Sequence, residues 1–206
     1  MVVYKEIHGT VIGKGKLDIF IPKTTVSFKW KHWKAVLDLK TCEPCRSRHG
    51  KIYAMNETVY PSPSDMHNFC RCMVLPMRAA EAGNCSYEGE KGADWWLWNK
   101  GVLPDYYIGI NDLFALGWRP GKAPAKYAPG QMLTRGIYRN DDGHLPDAPG
   151  RIWFEADLNY YYGKRNGHRV LWSNDGLMFV TYNHYESFIR LSEGKLWKIG
   201  LKQHWI

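Results

Sequence analysis

Hydrophobic and polar residues follow two different periodicities along this chain, and each predicts a different kind of element. Residues 1–35 alternate in places, as in "TVIGKGKLDIFIP" and "TTVSFKWKHW", which predicts short strands with turns at glycine and proline. From residue 93 the spacing is helical: "ADWWLWNK" predicts a helix that ends at Gly101, and "NDLFALGW" predicts a second that ends at Gly117. After Pro129, "RIWFEADL", "HRVLWSN", "GLMFVTYNHY" and "ESFIRL" predict strands joined by turns at "NDDGH", "RNGH" and "SNDG".

This order of elements predicts an α+β fold, in which N-terminal helices pack on one face of a twisted antiparallel sheet and the other face stays open. A small β-rich module that contains cysteine and histidine precedes it. The two parts differ in composition, because all five cysteines precede residue 87, and the segment "EAGNCSYEGEKGAD" between them is rich in glycine and charge. We therefore predict one module at residues 1–86 and a second at residues 87–206.

Composition and charge indicate a globular protein and narrow its partners. With 206 residues and 45% hydrophobic content, the chain can bury a sizeable core. The net charge of +8 favours a nucleic acid partner, but residues 1–86 carry +6 of it and residues 87–206 only +2. No apolar stretch approaches the ~18 residues that span a bilayer, so we expect no membrane partner. The N-terminus "MVVYKEIHGTVIGKGK" lacks the apolar core of a signal peptide, so export would need another route or a longer parent chain.

Five residues of the first module have the spacing of metal ligands. Cys42-x-x-Cys45 is followed, after a loop, by His67-x-x-Cys70-x-Cys72. Two close pairs separated by a loop suit tetrahedral zinc, because each pair can hold the ion from one tight turn. Five candidates for four places leave the set open: Cys42 and Cys45 are the most secure, with two or three of the others completing it. Disulfides in an oxidising compartment, or unrelated buried thiols, are the alternatives.

The same segment resembles the C-terminal end of MuF-type phage minor head proteins, in which a Cys-x-x-Cys pair is followed by a glycine-containing strand and a terminal His-x-x-Cys-Arg-Cys. The resemblance covers about residues 30–75, with "HGKIYAM" between the two motifs. It implies a capsid-associated or delivered protein, and related chains carry toxin domains at their C-termini. The expected partners are therefore a phage capsid or a secretion machinery, with an effector module after the Cys/His module.

In the second module, the predicted strands place acid, base and arginine side chains together. Alternate residues of a strand share a face, so Trp153, Glu155 and Asp157 point the same way. A hairpin can then bring Arg169 close to Glu155, and the end of the following strand can bring His184. A carboxylate that deprotonates a ribose 2′-hydroxyl, an imidazole that protonates the leaving 5′-oxygen and a guanidinium that holds the phosphate would cleave RNA without metal. Ordinary polar contacts on a sheet are the alternative interpretation.

Residues 93–191 resemble the barnase-like bacterial guanyl-specific ribonucleases. "LPDYY", "ALGW", "APG", "NDDGHLP", "GRIWFEADLNY", "SND" and "HYESF" occur in the order of that family, with nearly the same spacing. The resemblance implies the microbial ribonuclease fold for this module and an endoribonuclease reaction without a cofactor. The implied reaction is transesterification to a 2′,3′-cyclic phosphate, followed by slower hydrolysis with the acid and base roles reversed.

The resemblance also assigns roles to individual residues. Glu155 matches the general base and His184 the general acid, while Arg165 and Arg169 match the phosphate-binding arginines. Asp157 matches a buried aspartate that anchors those arginines, which is a structural role.

Residues 138–142 match the loop that recognises guanine through backbone amides and a carboxylate. Tyr185 matches an aromatic residue at the base and phosphate site. Two residues depart from the family: Asp141 replaces an arginine, and Asp142 replaces a longer glutamate, so guanine preference is less well supported than RNA cleavage. The implied substrate-binding residues of the loop are Tyr138, Arg139, Asn140, Asp141 and Asp142.

A third departure removes a catalytic charge. The family has a lysine at the position of Ile110, where it stabilises the transition state, and an isoleucine cannot supply that charge. Losing one such electrostatic contact typically lowers the rate about a hundredfold or more. Lys164, Arg139 and Lys122 are the candidate replacements in the sequence.

Together these observations predict an endoribonuclease toxin that cleaves single-stranded RNA, with a preference for guanine. Because such an enzyme would damage the RNA of its own cell, we expect secretion or delivery into a target cell, and a barstar-like acidic immunity protein as partner. The alternative is a non-enzymatic phage head-associated or RNA-binding protein with a decayed ribonuclease fold. The terminal segment "SEGKLWKIGLKQHWI" extends past the usual end of the family and is expected to add a strand or to pack on the first module.

Overall fold

The structure, a computed structural model, describes residues 9–12 and 19–191, and most of its regular elements are strands. The expected packing of the segment after residue 191 lies outside the described residues. In chain order the strands are β1 (Gly9–Ile12), β2 (Ile19–Pro22), β3 (Thr24–Lys34), β4 (Ile52–Ala54), β5 (Met73–Ala80), β6 (Tyr107–Gly109), β7 (Met132–Tyr138), β8 (Trp153–Asp157), β9 (Arg169–Ser173), β10 (Met178–Thr181) and β11 (Ile189–Leu191). The helices are α1 (Glu43–Ser47), α2 (Pro63–Met66), α3 (Ala93–Lys100) and α4 (Ile110–Ala115).

Nine of these strands form one mixed sheet. Its strand order is β4-β3-β5-β11-β10-β9-β8-β7-β6, and β1 pairs only with β2. From β7 to β11 each strand pairs antiparallel with the next along the chain. Two pairs are parallel: β6 lies beside β7, and β5 lies beside β11. Through the β5–β11 pair, strands from both predicted modules share one sheet.

The predicted architecture, helices packed on a twisted antiparallel sheet, is wrong. The described chain is mostly one large mixed sheet with four short helices, of which the longest, α3, has eight residues. The reason is an uncovered strand edge. If β10 were its only neighbour, β11 would leave backbone donors and acceptors unpaired on its other side. In the structure β5 occupies that side, where Ala79 and Ala80 pair with Arg190 and Leu191. The predicted module boundary at residue 86 stays a prediction.

The central strands are covered on both faces, so the predicted open face is absent there. All five residues of β9 are buried. On one face, Val170 and Trp172 pack with Ala93 and Leu97 of α3. On the other face, Leu171 packs in a cluster that joins the two predicted modules and consists of Ile52, Met77, Leu145, Trp153, Leu171, Phe179 and Phe188. The alternating pattern correctly predicts these strands, but the second covering layer comes from the N-terminal part of the chain.

The helix ends follow the predicted stop signals. The residue after α3 is Gly101, whose φ of 72° lies in the left-handed region and whose N–H donates to the Leu97 carbonyl. After α4, Gly117 has a φ of 86° and its N–H donates to the Phe114 carbonyl. No helix among the described residues is long and apolar enough to cross a membrane.

Candidate active site

Glu155 is a buried carboxylate in the middle of the sheet. It lies on β8 and shares its face with Trp153 and Asp157, as strand alternation predicts. Its side chain is only 5% exposed, yet two partners reach it: the Tyr185 hydroxyl donates to Oε2, and Nε of Arg135 lies 3.7 Å from Oε1. Burial, and then the Glu155 charge, raise the pKa of Tyr185, so this hydroxyl stays a hydrogen-bond donor.

Asp157 holds both predicted phosphate-binding arginines. Its carboxylate is fully buried; Nε of Arg165 donates to Oδ2 at 2.9 Å and a second guanidinium nitrogen donates to Oδ1. Nε of Arg169 lies 3.2 Å from Oδ1 as an ion pair, and its Nη1 donates to the His168 carbonyl at 2.6 Å. Burial alone would lower the pKa of Arg165, but the hydrogen bonds and charge of Asp157 outweigh it and raise that pKa. Asp157 therefore holds both guanidinium groups in place and favours the charged form of Arg165.

The turn that carries Arg165 is itself fixed by side-chain hydrogen bonds. Asn166 Nδ2 donates to the carbonyls of Leu158 and Asn159 at 3.0 and 2.8 Å, and its Oδ1 accepts from the His168 N–H. This is the behaviour expected of asparagine in a turn, where its amide takes the place of backbone partners. The "KRNGH" segment is thus a rigid support for the arginines.

His184 projects from a strained turn at the edge of the site. Both His184 and Tyr185 have left-handed backbone angles, with φ of 54° and 74°. The His184 N–H donates to the Gly167 carbonyl at 3.0 Å, and a Cβ at Gly167 would lie 2.9 Å from that nitrogen. Burial lowers the pKa of His184, the charges of Arg169 and Arg165 lower it further, and Glu155 opposes them. The imidazole therefore lies in the field of the arginine pair and the predicted base.

Two tyrosines form an aromatic platform beside Glu155. The Tyr138 and Tyr185 rings are stacked, with centroids 5.2 Å apart and an interplanar angle of 26°. Tyr138 ends β7, so the platform lies where the predicted base-recognition loop begins. A stacked aromatic pair next to a phosphate-binding site can also stack a nucleobase.

The loop after Tyr138 is shaped by its own side chains. Asn140 has a φ of 52°, and its amide exchanges two hydrogen bonds, each of 3.0 Å, with the backbone of Leu145. Arg139 and Asp141 form an exposed ion pair of 2.9 Å. The Asp142 carboxylate accepts from the His144 N–H at 3.1 Å and lies 3.3 Å from Nδ1 of the same residue. The loop conformation is therefore well defined, with the Asp142 carboxylate turned towards His144.

The structure brings the predicted general acid, general base, arginines and aromatic residue together. None of the three residues suggested as replacements for the missing lysine forms a described ion pair with Glu155. Arg139 pairs with Asp141 instead, and Lys122 lies in the loop after α4, where its carbonyl accepts from Trp118. Ile110 begins α4 and packs against a hydrophobic cluster.

Arg135 is the residue that sequence reasoning missed. It lies at an irregularity of the β7–β8 pairing, between Thr134, which pairs with Ala156, and Gly136, which pairs with Glu155. Such bulges redirect a side chain and are common beside active sites. The signal in the sequence is Gly136 inside a strand, with a φ of 75°, in the run "LTRGIY".

The predicted metal ligands also lie together. Nε2 of His67 is 3.4 Å from Sγ of Cys42 and 3.3 Å from Sγ of Cys45, and the sulfurs of Cys45 and Cys70 are 3.7 Å apart. Cys72 joins Cys45 and Cys70 in a second group whose sulfurs lie within 4.8 Å of one another. All the cysteines are free thiols. The group is a candidate metal centre in the N-terminal part of the chain.

Comparison with known proteins gives two independent similarities. Residues 1–75 match the family described as Phage Mu protein F like protein, and this range includes the Cys/His segment. A stretch of 90 residues is 43% identical to a ribonuclease of Heyndrickxia coagulans and covers 43% of this chain and 83% of that protein. Ribonucleases of Bacillus intermedius and Bacillus pumilus are each 43% identical over 90 residues, and the chain spans 56% of their length. The similarity to the first of these ribonucleases covers most of its length, so this chain belongs to their family of bacterial ribonucleases.

Proposed function

We propose that this protein is an endoribonuclease that cleaves single-stranded RNA by transesterification, without a metal ion in the reaction. The observation that carries the proposal is the buried Glu155 carboxylate, which lies 3.7 Å from Arg135 and whose charge acts, with those of Arg165 and Arg169, on the exposed imidazole of His184. Membership of a ribonuclease family supports the same reaction.

In the proposed first step, Glu155 removes the proton of the ribose 2′-hydroxyl, and the 2′-oxygen attacks the adjacent phosphorus. The bond between phosphorus and the 5′-oxygen breaks, and His184 gives its proton to that oxygen. The products are a 2′,3′-cyclic phosphate and a free 5′-hydroxyl. Arg165 and Arg169, held by Asp157, stabilise the charge that develops on the phosphate oxygens.

Arg135 supplies the positive charge that isoleucine at position 110 lacks. Its guanidinium lies 3.7 Å from Glu155, and the side chain is about half exposed. It can therefore reach both Glu155, the proposed general base, and a bound phosphate. It also contributes to the field at His184, because its charge lowers the pKa of that imidazole. A bulge in β7 thus replaces a helix position as the source of the cation.

The nucleobase next to the scissile phosphate would stack on Tyr138 and Tyr185. It would also contact the loop at residues 139–142, and this contact favours guanine. The preference is moderate, because Asp142 contacts His144 and must turn to reach a base edge. Comparison of guanosine- and adenosine-containing dinucleotides measures it. Asp142→Asn should reduce the ratio of their kcat/KM values, and an unchanged ratio contradicts this part of the proposal.

The main test is cleavage of a labelled single-stranded RNA in buffer without divalent cations. Wild type should produce 2′,3′-cyclic phosphate ends and leave DNA of the same sequence intact, because DNA has no 2′-hydroxyl. Glu155→Ala and His184→Ala should each lower cleavage about 10²- to 10⁴-fold, whereas the exposed Glu90→Ala should not. Intact RNA that is still bound by wild type would instead support the alternative, a non-enzymatic phage head-associated or RNA-binding protein, which the match of residues 1–75 favours.

The proposal includes delivery of the enzyme as a toxin, because cytoplasmic cleavage would damage RNA of the producing cell. The match of residues 1–75 to a phage protein family supports capsid or secretion machinery as the vehicle. An acidic immunity protein that covers Arg135, Arg165 and Arg169 is the expected inhibitor. The test is to add acidic proteins encoded next to this chain to the cleavage reaction, and the absence of any inhibitor among them counts against the toxin role.

A further inference from the structure

The Cys/His group has the spacing of a zinc site. Tetrahedral zinc holds sulfur at ~2.3 Å and nitrogen at ~2.0–2.1 Å, so two bound sulfurs lie ~3.8 Å apart and a sulfur and a nitrogen ~3.6 Å apart. The observed separations are 3.7 Å between Cys45 and Cys70 and 3.3–3.4 Å from the two nearest sulfurs to Nε2 of His67. These three separations are close to those around a bound ion, and Cys70, which is grouped with Cys45 but not with Cys42 and His67, would have to move towards them to complete the site.

The histidine already has the tautomer that zinc requires. Nδ1 of His67 lies 2.9 Å from the Asn68 carbonyl, and since a carbonyl can only accept, Nδ1 carries the hydrogen. Nε2 is then free to bind a metal, and it is the atom that faces the sulfurs of Cys42 and Cys45. Zinc-binding histidines commonly have such a backbone partner on the second nitrogen.

The contacts also select four ligands among the five candidates. Separations of 3.7 Å or less connect Cys42, His67, Cys45 and Cys70. Cys72, with 8% of its surface exposed, packs with Trp33, and its sulfur is grouped with those of Cys45 and Cys70 but not with Cys42 and His67. We assign Cys72 to the hydrophobic core beside the site.

The same ligands begin a helix whose other end contacts the proposed RNA site. Cys42 is the N-cap of α1 and Cys45 lies within it; the carbonyl of Ser47, the last residue of α1, accepts from Nε2 of His144 at 3.3 Å. Five residues later the Ile52 N–H donates to the His144 carbonyl at 2.8 Å. Residues 47–52 thus hold the loop that contains Asp142, because they contact both the side chain and the backbone carbonyl of His144.

Gly50 brings this segment against the second half of the site. The φ of Gly50 is +87°, and a Cβ on Gly50 would lie 2.7 Å from the carbonyl oxygen of Glu186. Glu186 directly follows Tyr185 in the chain. The His184 turn and the base-recognition loop therefore both rest on residues 47–52, which begin at the last residue of α1.

We propose that Cys42, Cys45, His67 and Cys70 bind one zinc ion, and that this ion holds residues 47–52 in the position that supports both loops of the RNA site. The second part rests on the proposed function. The ion takes no part in the reaction; it positions residues that contact the substrate.

The ligand set is tested by metal content and by Co²⁺ substitution of the full chain. Wild type and Cys72→Ala should contain one zinc per chain and, with Co²⁺, show the visible absorption of a tetrahedral site with thiolate ligands. Cys42→Ala and Cys70→Ala should lose both signals. A metal-free wild type overturns the proposal, and so does loss of metal from Cys72→Ala with retention in Cys70→Ala.

The coupling is tested first without reference to activity. Hydrogen exchange of the backbone amides of Ile52, Gly143 and Leu145 should be faster in Cys42→Ala than in zinc-loaded wild type, because all three lie in the supported segment or loop. Equal protection overturns the coupling even if the chain cleaves no RNA. This measurement therefore separates failure of the inference from failure of the proposed function.

A glycine pair then tests the effect on cleavage. Gly50→Ala should lower kcat/KM on the order of tenfold, because its Cβ would displace the Glu186 backbone and the turn before it. Gly121→Ala is the matched control: its φ is also +87°, but nothing lies within 4 Å of the added Cβ. Equal losses in the two variants would show that backbone strain alone is responsible and would overturn the support role of residues 47–52.

Discussion

At the residue scale, the site depends on charges placed around one buried carboxylate. Glu155 receives a hydrogen bond from Tyr185 and lies 3.7 Å from Arg135, and the two other arginines are locked onto Asp157. Such groups are most effective where they are already oriented before the reaction, because no further reorganisation is needed. Each side chain can therefore be tested by a substitution that changes one charge.

Arg135→Ala should lower kcat about a hundredfold with a smaller change in KM, because the cation acts mainly on charge that develops in the transition state. Arg135→Lys should recover part of this loss, since it keeps the charge without the planar guanidinium. Steady-state cleavage of a dinucleotide measures both, and Arg119→Ala, a surface arginine, serves as control. Wild-type kcat in Arg135→Ala would show that another group supplies the charge.

The pH dependence of kcat/KM should show the lowered pKa of His184. The general acid must be protonated, and its pKa in the free enzyme lies below 6.5 because of burial and the arginine charges. As the pH rises, kcat/KM should therefore begin to fall before pH 6.5 is reached. Arg135→Gln should move this fall to higher pH, because it removes a charge that lowers the pKa of His184. A limb that begins above pH 6.5, or one that persists in His184→Gln, contradicts the assignment.

At the element scale, the β8–β9 hairpin is braced by a buried ion pair. Asp157 has no exposed surface and pairs with Arg165 and Arg169 across the hairpin. The turn between the strands is held by Asn166 and by Tyr160, whose hydroxyl donates to the Gly163 carbonyl. The hairpin thus contributes to stability as well as to the site.

Asp157→Asn should lower the free energy of unfolding by about 3–5 kcal/mol, because it leaves two arginines without their buried counter-charge. The matched control is Asp175→Asn, which breaks a hydrogen-bonded pair between Asp175 and Arg151 with the Asp175 side chain 46% exposed and should cost less than about 1 kcal/mol. Urea unfolding at neutral pH measures the difference. Equal costs would mean that Asp157 is not an important anchor.

His168, in the same hairpin, should make stability depend on pH. Burial, and then the charge of Arg169, lower its pKa to about 4. Since the folded pKa lies below the unfolded value of about 6.5, this contribution to stability is complete above 6.5 and is lost as the pH falls towards 4. The loss is about 3 kcal/mol. Unfolding free energies at pH 7 and pH 4 should therefore differ less in His168→Gln than in wild type, and an equal difference contradicts the prediction.

At the scale of the whole molecule, the N-terminal part and the ribonuclease part share one sheet and one hydrophobic cluster. β5 pairs with β11, and Ile52 and Met77 pack with Trp153 and Phe179. α1 begins at Cys42 of the Cys/His group and ends at Ser47, whose carbonyl accepts from His144 beside the proposed RNA site. The two parts should therefore unfold together.

Met77→Ala should lower the free energy of unfolding by about 2–5 kcal/mol, because Met77 is fully buried in the shared cluster. The midpoint of a single unfolding transition should fall accordingly. Met73→Ala, in the same strand but 47% exposed, should change it little. Tryptophan fluorescence and far-ultraviolet circular dichroism should give the same midpoint in each variant. Two separate transitions would show that the two parts fold independently.

The sequence by itself determined the local features of this protein. Strand alternation places Glu155 and Asp157 on one face, glycines end α3 and follow α4, and the Cys/His pairs of the first module have ligand spacing. These follow from short-range geometry, because the period of a strand or the stop of a helix depends on a few neighbouring residues.

Only the tertiary structure decided how these features meet. The β5–β11 pair joins residues more than a hundred positions apart, and it covers a strand edge that alternation within β11 does not reveal. Arg135 reaches Glu155 through a bulge, and Gly50 lies against the Glu186 carbonyl through packing between distant segments. Such contacts are selected by the free energy of the whole packed chain. The local pattern therefore predicted the residues of the candidate site but not the sheet that joins them or the position of Arg135, the proposed replacement for the missing lysine.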